Sequence, residues 1–74
     1  MATKETHRQL DSMVGRVVTI ETQYGYSVGK LDVVASRSGG YFHVQPVGGY
    51  QFHLRFLADE VEGVDEAEQR IILK

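Results

Sequence analysis

Residues 13–35 read MVGRVVTIETQYGYSVGKLDVVA, two alternating apolar stretches on either side of a Gly/Tyr turn. Successive side chains of a β-strand point to opposite faces. Val14, Arg16, Val18, Ile20 and Thr22 therefore share one face of the first run, and Val17, Thr19 and Glu21 share the other. In the second run Gly29, Leu31, Val33 and Ala35 alternate with Lys30, Asp32 and Val34. A hairpin that buries both apolar faces together sets Val18 opposite Val33 and Ile20 opposite Leu31. It also sets Glu21 opposite Lys30 on the outside, a cross-strand pair of roughly 0.2–1 kcal/mol. A slip of one residue would turn an apolar set into water. The connection is then Tyr24-Gly25-Tyr26-Ser27, with glycine available for positive φ. The same register opposes Val17 and Val34 on the outer side, where another strand covers them or they form a contact surface.

A second hairpin follows. Ser36-Arg37-Ser38-Gly39-Gly40 reads as a flexible turn. Beyond it, Phe42 and Val44 alternate with Tyr41, His43 and Gln45, while Phe52, Leu54 and Phe56 alternate with Gln51, His53 and Arg55. A three-residue loop, Val47-Gly48-Gly49, between strands at 41–46 and 50–57 keeps both apolar sets on one face. Phe42 then opposes Leu54, and Val44 opposes Phe52. Outside, His43 opposes His53, Gln45 opposes Gln51, and Tyr41 opposes Arg55. Pro46 falls at a strand end, where a missing N–H is tolerated.

The termini are more polar. Residues 1–12 read either as a short helix capped by Thr3 and running to about Ser12, or as a frayed terminus. In the helical reading Leu10, Met13 and Val14 have the spacing to dock it, and Gly15 suits its end. Residues 56–61 read as a strand end followed by one helical turn. After Val61–Val64 comes an acidic turn at Asp65 to Glu68, and Arg70-Ile71-Ile72-Leu73 closes the chain.

Seventy-four residues make one domain with a small core. The division is 1–12 as N-terminal segment and 13–74 as a small β-barrel. There is no cysteine, hence no disulfide and no thiolate metal site. Core packing or self-association must supply the stability, and exposed strand edges favour association. No apolar run approaches a membrane span and the N-terminus lacks a signal-peptide core, so the expected location is cytoplasmic. The net charge of −2 is unevenly spread. Residues 13–56 carry a net +2 and residues 57–74 a net −4, a weak footprint for a nucleic-acid binder.

Leu10, Gly15, Val18, Gly25, Gly29, Lys30, Leu31, Asp32, Val33 and Val34, with Phe56-Leu57, Val61, Val64-Asp65 and Ile71-Ile72-Leu73, form a pattern that resembles the PRC-barrel domain across residues 10–74. The resemblance implies a small, non-enzymatic β-barrel that docks on other macromolecules, as in a ribosome-maturation factor's second domain or a photosynthetic reaction-centre domain. A rival resemblance is to Sm-like RNA-binding proteins, through length, the N-terminal segment and the Gly15-to-Leu31 spacing. Their Asp-x-hydrophobic-x-Asn signature is missing, since the chain contains no asparagine, and Arg55 is followed by Phe56 where Arg-Gly is needed. The uridine pocket therefore does not carry over.

The expected fold is all-β: a small SH3-like, PRC- or Sm-like barrel of about five antiparallel strands, with or without the helix. The candidate partner-binding residues are Tyr24, Tyr26, Tyr41, His43, His53 and Arg55. Tyrosine and arginine are typical of interfaces. Exposed aromatics at the Tyr24-Gly25-Tyr26 tip either insert into a partner or fold back over the barrel end. Arg37, Arg55 and Tyr41 are the candidate nucleic-acid contacts. A His43/His53 pair supplies two of the roughly four ligands that a structural zinc needs, with His7 a distant third. It reads better as a solvated or pH-sensitive face. The acidic run 59–68 reads as a docking strip or a solvated turn. Neither Gly39-Gly40 nor Gly48-Gly49 opens a helix, so neither is a phosphate loop. No cofactor, metal, membrane or small-molecule substrate is expected. The leading function is a non-enzymatic adaptor that binds another protein, or itself, through sheet edges and the outer face. The alternatives are an RNA-binding ring oligomer and a small inhibitor docking on a larger enzyme or nucleoprotein.

Overall fold

The structure, a computed structural model, describes residues 3–36, 39–47 and 54–74. A helix, α1 (Lys4–Met13), precedes the strands β1 (Val17–Thr22), β2 (Gly25–Ser36), β3 (Gly39–Pro46) and β4 (Leu54–Phe56). A 3-10 turn (Ala58–Glu60), β5 (Val61–Asp65) and β6 (Arg70–Leu73) complete the chain. The strands form one sheet in the order β4-β3-β2-β1-β6-β5, curled into an open half-barrel. The expectation of about five antiparallel strands in a barrel is corrected on two counts: there are six strands among the described residues, and β1 and β6 run parallel.

Residues 4–13 form a helix because they contain no glycine, proline or β-branched run, apart from Thr6, and because Thr3 caps them. The Thr3 Oγ1 accepts the Thr6 N–H at 3.1 Å. Leu10 and Met13, three apart, are buried, and Val14 packs beside them. This settles the N-terminal segment as a docked helix. Its backbone leaves through Gly15, which holds φ +87°, a conformation that costs glycine little.

The core lies on the concave face: Val18, Ile20, Leu31, Phe42, Val44, Phe56 and Ile71, closed at one side by Leu10 and Met13. Val18, Ile20, Leu31, Phe42, Val44 and Phe56 belong to the inward sets expected from the alternation, and Ile71 of β6 joins them. The registers differ. In the first hairpin Val18 pairs with Gly29, Ile20 with Ser27 and Thr22 with Gly25, so the strands are displaced by four residues from the expected Val18–Val33 and Ile20–Leu31 pairing. The connection is Gln23-Tyr24 rather than Tyr24 to Ser27. The Thr22 hydroxyl accepts the Tyr24 N–H at 3.1 Å and donates to the Gly25 carbonyl at 3.2 Å, and Gly25 takes φ +131°. A tight turn held by a threonine hydroxyl and a glycine outweighs the looser four-residue loop. Glu21 consequently pairs in register with Tyr26, not Lys30, and its carboxylate meets the Arg70 guanidinium at 3.5 Å instead. Val17 stands opposite Lys30 and Val34 opposite Tyr41; neither valine is covered.

The segment expected as a flexible turn is partly strand, with Ser36 paired to Gly39 and Ala35 to Gly40. In the second hairpin Phe42 pairs with Phe56, His43 with Arg55 and Val44 with Leu54. That is two residues away from the expected pairing. It brings the two phenylalanine rings into an offset stack at 5.4 Å, the geometry that aromatic pairs favour. Gly48, Gly49, Phe52 and His53 lie outside the described residues. After β4 the chain turns as expected. The Glu60 carboxylate accepts the Leu57 N–H at 2.8 Å and so fixes the 3-10 turn.

Candidate binding surface

The outer, convex face of β2–β3–β4 collects side chains in cross-strand rows. Alternation sends Tyr41 and His43 of β3 to the side opposite buried Phe42 and Val44. The register then aligns Asp32, His43 and Arg55 in one row and Val34 with Tyr41 in the next. The Arg55 guanidinium carbon lies 5.7 Å from the centre of the Tyr41 ring, within the range of a cation–π contact worth about 0.5–1 kcal/mol at an exposed site. Tyr41, His43 and Arg55 are thus brought together as the alternation predicts, but with a changed partner. His43 faces Arg55 rather than His53, so the described strands do not form the opposed histidine pair. His53 and Arg37 lie outside the described residues. Among the described residues no group of three or more His, Cys, Asp or Glu side chains is placed to hold a metal ion.

Tyr24 and Tyr26 form a separate feature. Tyr24 is 90% exposed and Tyr26 is 74% exposed at the tip of the first hairpin. Neither folds back over the barrel end. Tyr26 is eight positions along β2 from Val34, about 25 Å of strand, so the tip and the Tyr41 patch are distinct surfaces.

The acidic C-terminal segment is largely engaged in local structure. Asp65 Oδ1 accepts the Glu68 N–H at 3.2 Å, and Glu60 fixes the 3-10 turn. Glu66 accepts from Arg8 at 2.9 Å and ties the β5–β6 turn to α1. Arg8 also binds Glu5 one helical turn back. That hydrogen bond outweighs an opposing desolvation and, with a lesser charge attraction to Arg8, holds the Glu5 carboxyl below the usual carboxylate range. The same partners raise the Arg8 guanidinium above its ordinary value, Glu5 first and Glu66 second.

Sequence reasoning missed a cleft of about 420 Å³ at the mouth of the half-barrel, lined by His7 and Asp11 of α1, Val33, Phe42, Leu57 and Asp59. Val33 belongs to the inward set with Leu31, yet it is 53% exposed, because α1 stands off from this end of β2. Alternation assigns Val33 to a face but carries no signal of where that face stops being covered.

No protein-family model matches the chain, no curated protein matches it, and no solved structure matches it. The PRC-barrel and Sm-like likenesses therefore rest on short motifs alone, while the fold rests on the six-stranded sheet itself.

Proposed function

We propose that this domain is a non-enzymatic binding module that recognises a partner protein through the outer face around Tyr41 and Arg55. One observation carries the reading: Arg55 lies over the Tyr41 ring on a convex sheet surface, beside Val34 and the Asp32–His43–Arg55 row. Arginine and tyrosine pre-ordered against each other lose little side-chain entropy on binding, and such residues anchor interfaces. A convex face excludes little water, which suits docking better than a reaction that needs a dry, shaped site. Of the nucleic-acid set, Tyr41 and Arg55 remain as neighbours. Among the described residues Arg55 shares its row with Asp32, on the far side of His43, which makes a poor phosphate-binding track.

The test is capture from lysate of the native host with immobilised domain, after nuclease treatment. Wild type is compared with a Tyr41→Ser, Arg55→Ser double variant and with Tyr24→Ser at the distant tip. A protein retained by wild type and by Tyr24→Ser, but lost by the double variant, supports the reading. Retention by the double variant, once circular dichroism has verified its fold, or bound material that is nucleic acid, refutes it.

A further inference from the structure

β2 is longer than either neighbour can match. β1 pairs with residues 25–30 and β3 with residues 29–36, so the two overlap only at Gly29 and Lys30. Just beyond, the Leu31 N–H donates to the Arg16 carbonyl at 3.0 Å, and the Leu31 carbonyl accepts from the Gly15 N–H at 2.7 Å. Both polar groups of Leu31 thus point toward the β1 side. Peptide groups alternate sides along a strand, so Val33 and Ala35 direct their N–H and C=O groups the same way, past the point where β1 has ended. Among the described residues no strand pairs with that side of 32–36.

We infer that this edge pairs, antiparallel, with the same edge of a second copy of the chain, with Val34 facing the partner's Val34 across a two-fold axis. The inference goes beyond the outer-face reading and does not depend on it. Three features favour this occupant. First, the register is self-complementary. Val33 exchanges both peptide hydrogen bonds with the partner's Ala35, and Ala35 with the partner's Val33, so every outward group of the two residues is satisfied. Moving the axis to Val33 would require the Leu31 groups that Gly15 and Arg16 already hold. Second, residues 33–36 read Val-Val-Ala-Ser, without the lysine, proline or bulge by which natural edges avoid pairing. The only charge, Asp32, falls opposite the partner's uncharged Ser36. Third, Val33 and Val34 flank the edge on its two faces and are both exposed in the single copy. Pairing covers them.

Sedimentation velocity of the full chain across a dilution series tests this. Wild type should be a dimer that dissociates on dilution. Val33→Pro deletes an outward N–H that the β2–β3 ladder does not use, so the fold should persist while the dimer is lost. Val34→Lys and Val34→Glu each place like charges face to face and should raise the dissociation constant about tenfold or more. Mixing the Lys and Glu variants should restore a dimer, because only a register with position 34 on the axis brings the opposite charges together. The Lys/Glu pair decides the matter if Val33→Pro does not fold. A wild type that stays monomeric at every concentration overturns the inference, and so does a dimer indifferent to charge at position 34 or a mixture that fails to re-associate.

Discussion

Replacing Gly29 with alanine should cost this domain a large share of its stability. Gly29 is buried where β2 passes from one neighbour to the other, paired with Val18 on one side and Pro46 on the other. A Cβ built there would lie 2.6 Å from Val44 Cγ1 and 2.9 Å from the Gln45 carbonyl carbon, with the Gln45 oxygen nearer still. Two of those atoms are backbone, and β3 cannot retreat without breaking its ladder with β2. Relief by a side-chain rotation is therefore closed, and the penalty falls at the upper end of overpacking, about 3 kcal/mol. The stiffer unfolded chain returns about 0.5 kcal/mol, leaving a net loss of about 2.5 kcal/mol. A domain of this size has about 4–11 kcal/mol in total. The melting temperature should drop by about 10–20 °C at the usual sensitivity of small domains. The assay is urea and thermal unfolding by circular dichroism, with Gly63→Ala as the control. A Cβ at Gly63 meets nothing within 4 Å, so that change should stay within about 1 kcal/mol of wild type. If Gly29→Ala unfolds with the same midpoint as Gly63→Ala, the close approach of β2 to β3 is not what selects glycine there, and the reasoning is wrong.

Leu10→Ala should cost about 3 kcal/mol, since the side chain is fully enclosed by the core face and α1 has only Met13 as a second buried anchor. A loss below about 1 kcal/mol in urea denaturation would mean that the helix contributes little to the fold. The Glu5 carboxyl, held below its ordinary range by Arg8, contributes at neutral pH and loses that contribution as the pH falls through its lowered value. The gap in melting temperature between wild type and Glu5→Gln should therefore be present at neutral pH and close on acidification. A gap that is the same at every pH would exclude the Arg8 contact as its source.

The inward and outward sets were legible from the sequence because a period of two survives any even displacement of one strand against another. Val18, Ile20, Leu31, Phe42, Val44 and Phe56 all face the core as the alternation requires. The same degeneracy hid the registers. Displacements of four residues in the first hairpin and two in the second leave every side chain on its face, and only turn chemistry distinguishes them. At Thr22–Gly25 the deciding signals were a threonine hydroxyl two residues before the loop that the apolar pairing favoured and a glycine that closes the tighter turn instead of sitting within that loop. For Tyr41, His43 and Arg55 the common face was readable, but the neighbour of His43 was not. The mouth cleft and the edge of β2 that no described strand pairs depend on where α1 and β1 stop in space, which no local pattern records.

The parallel pairing of β1 with β6 also constrains how the chain reaches this fold. Ile20 and Ile71 are partners, yet about 50 residues of synthesis separate them, which takes about 2.5–10 s at typical elongation rates. Until β6 is made, any hairpin that β1 and β2 form leaves the β6-facing flank of β1 without its strand partner. The final strand acts as the latch of the molecule, and the emerging chain is most open to mispairing just before the latch arrives.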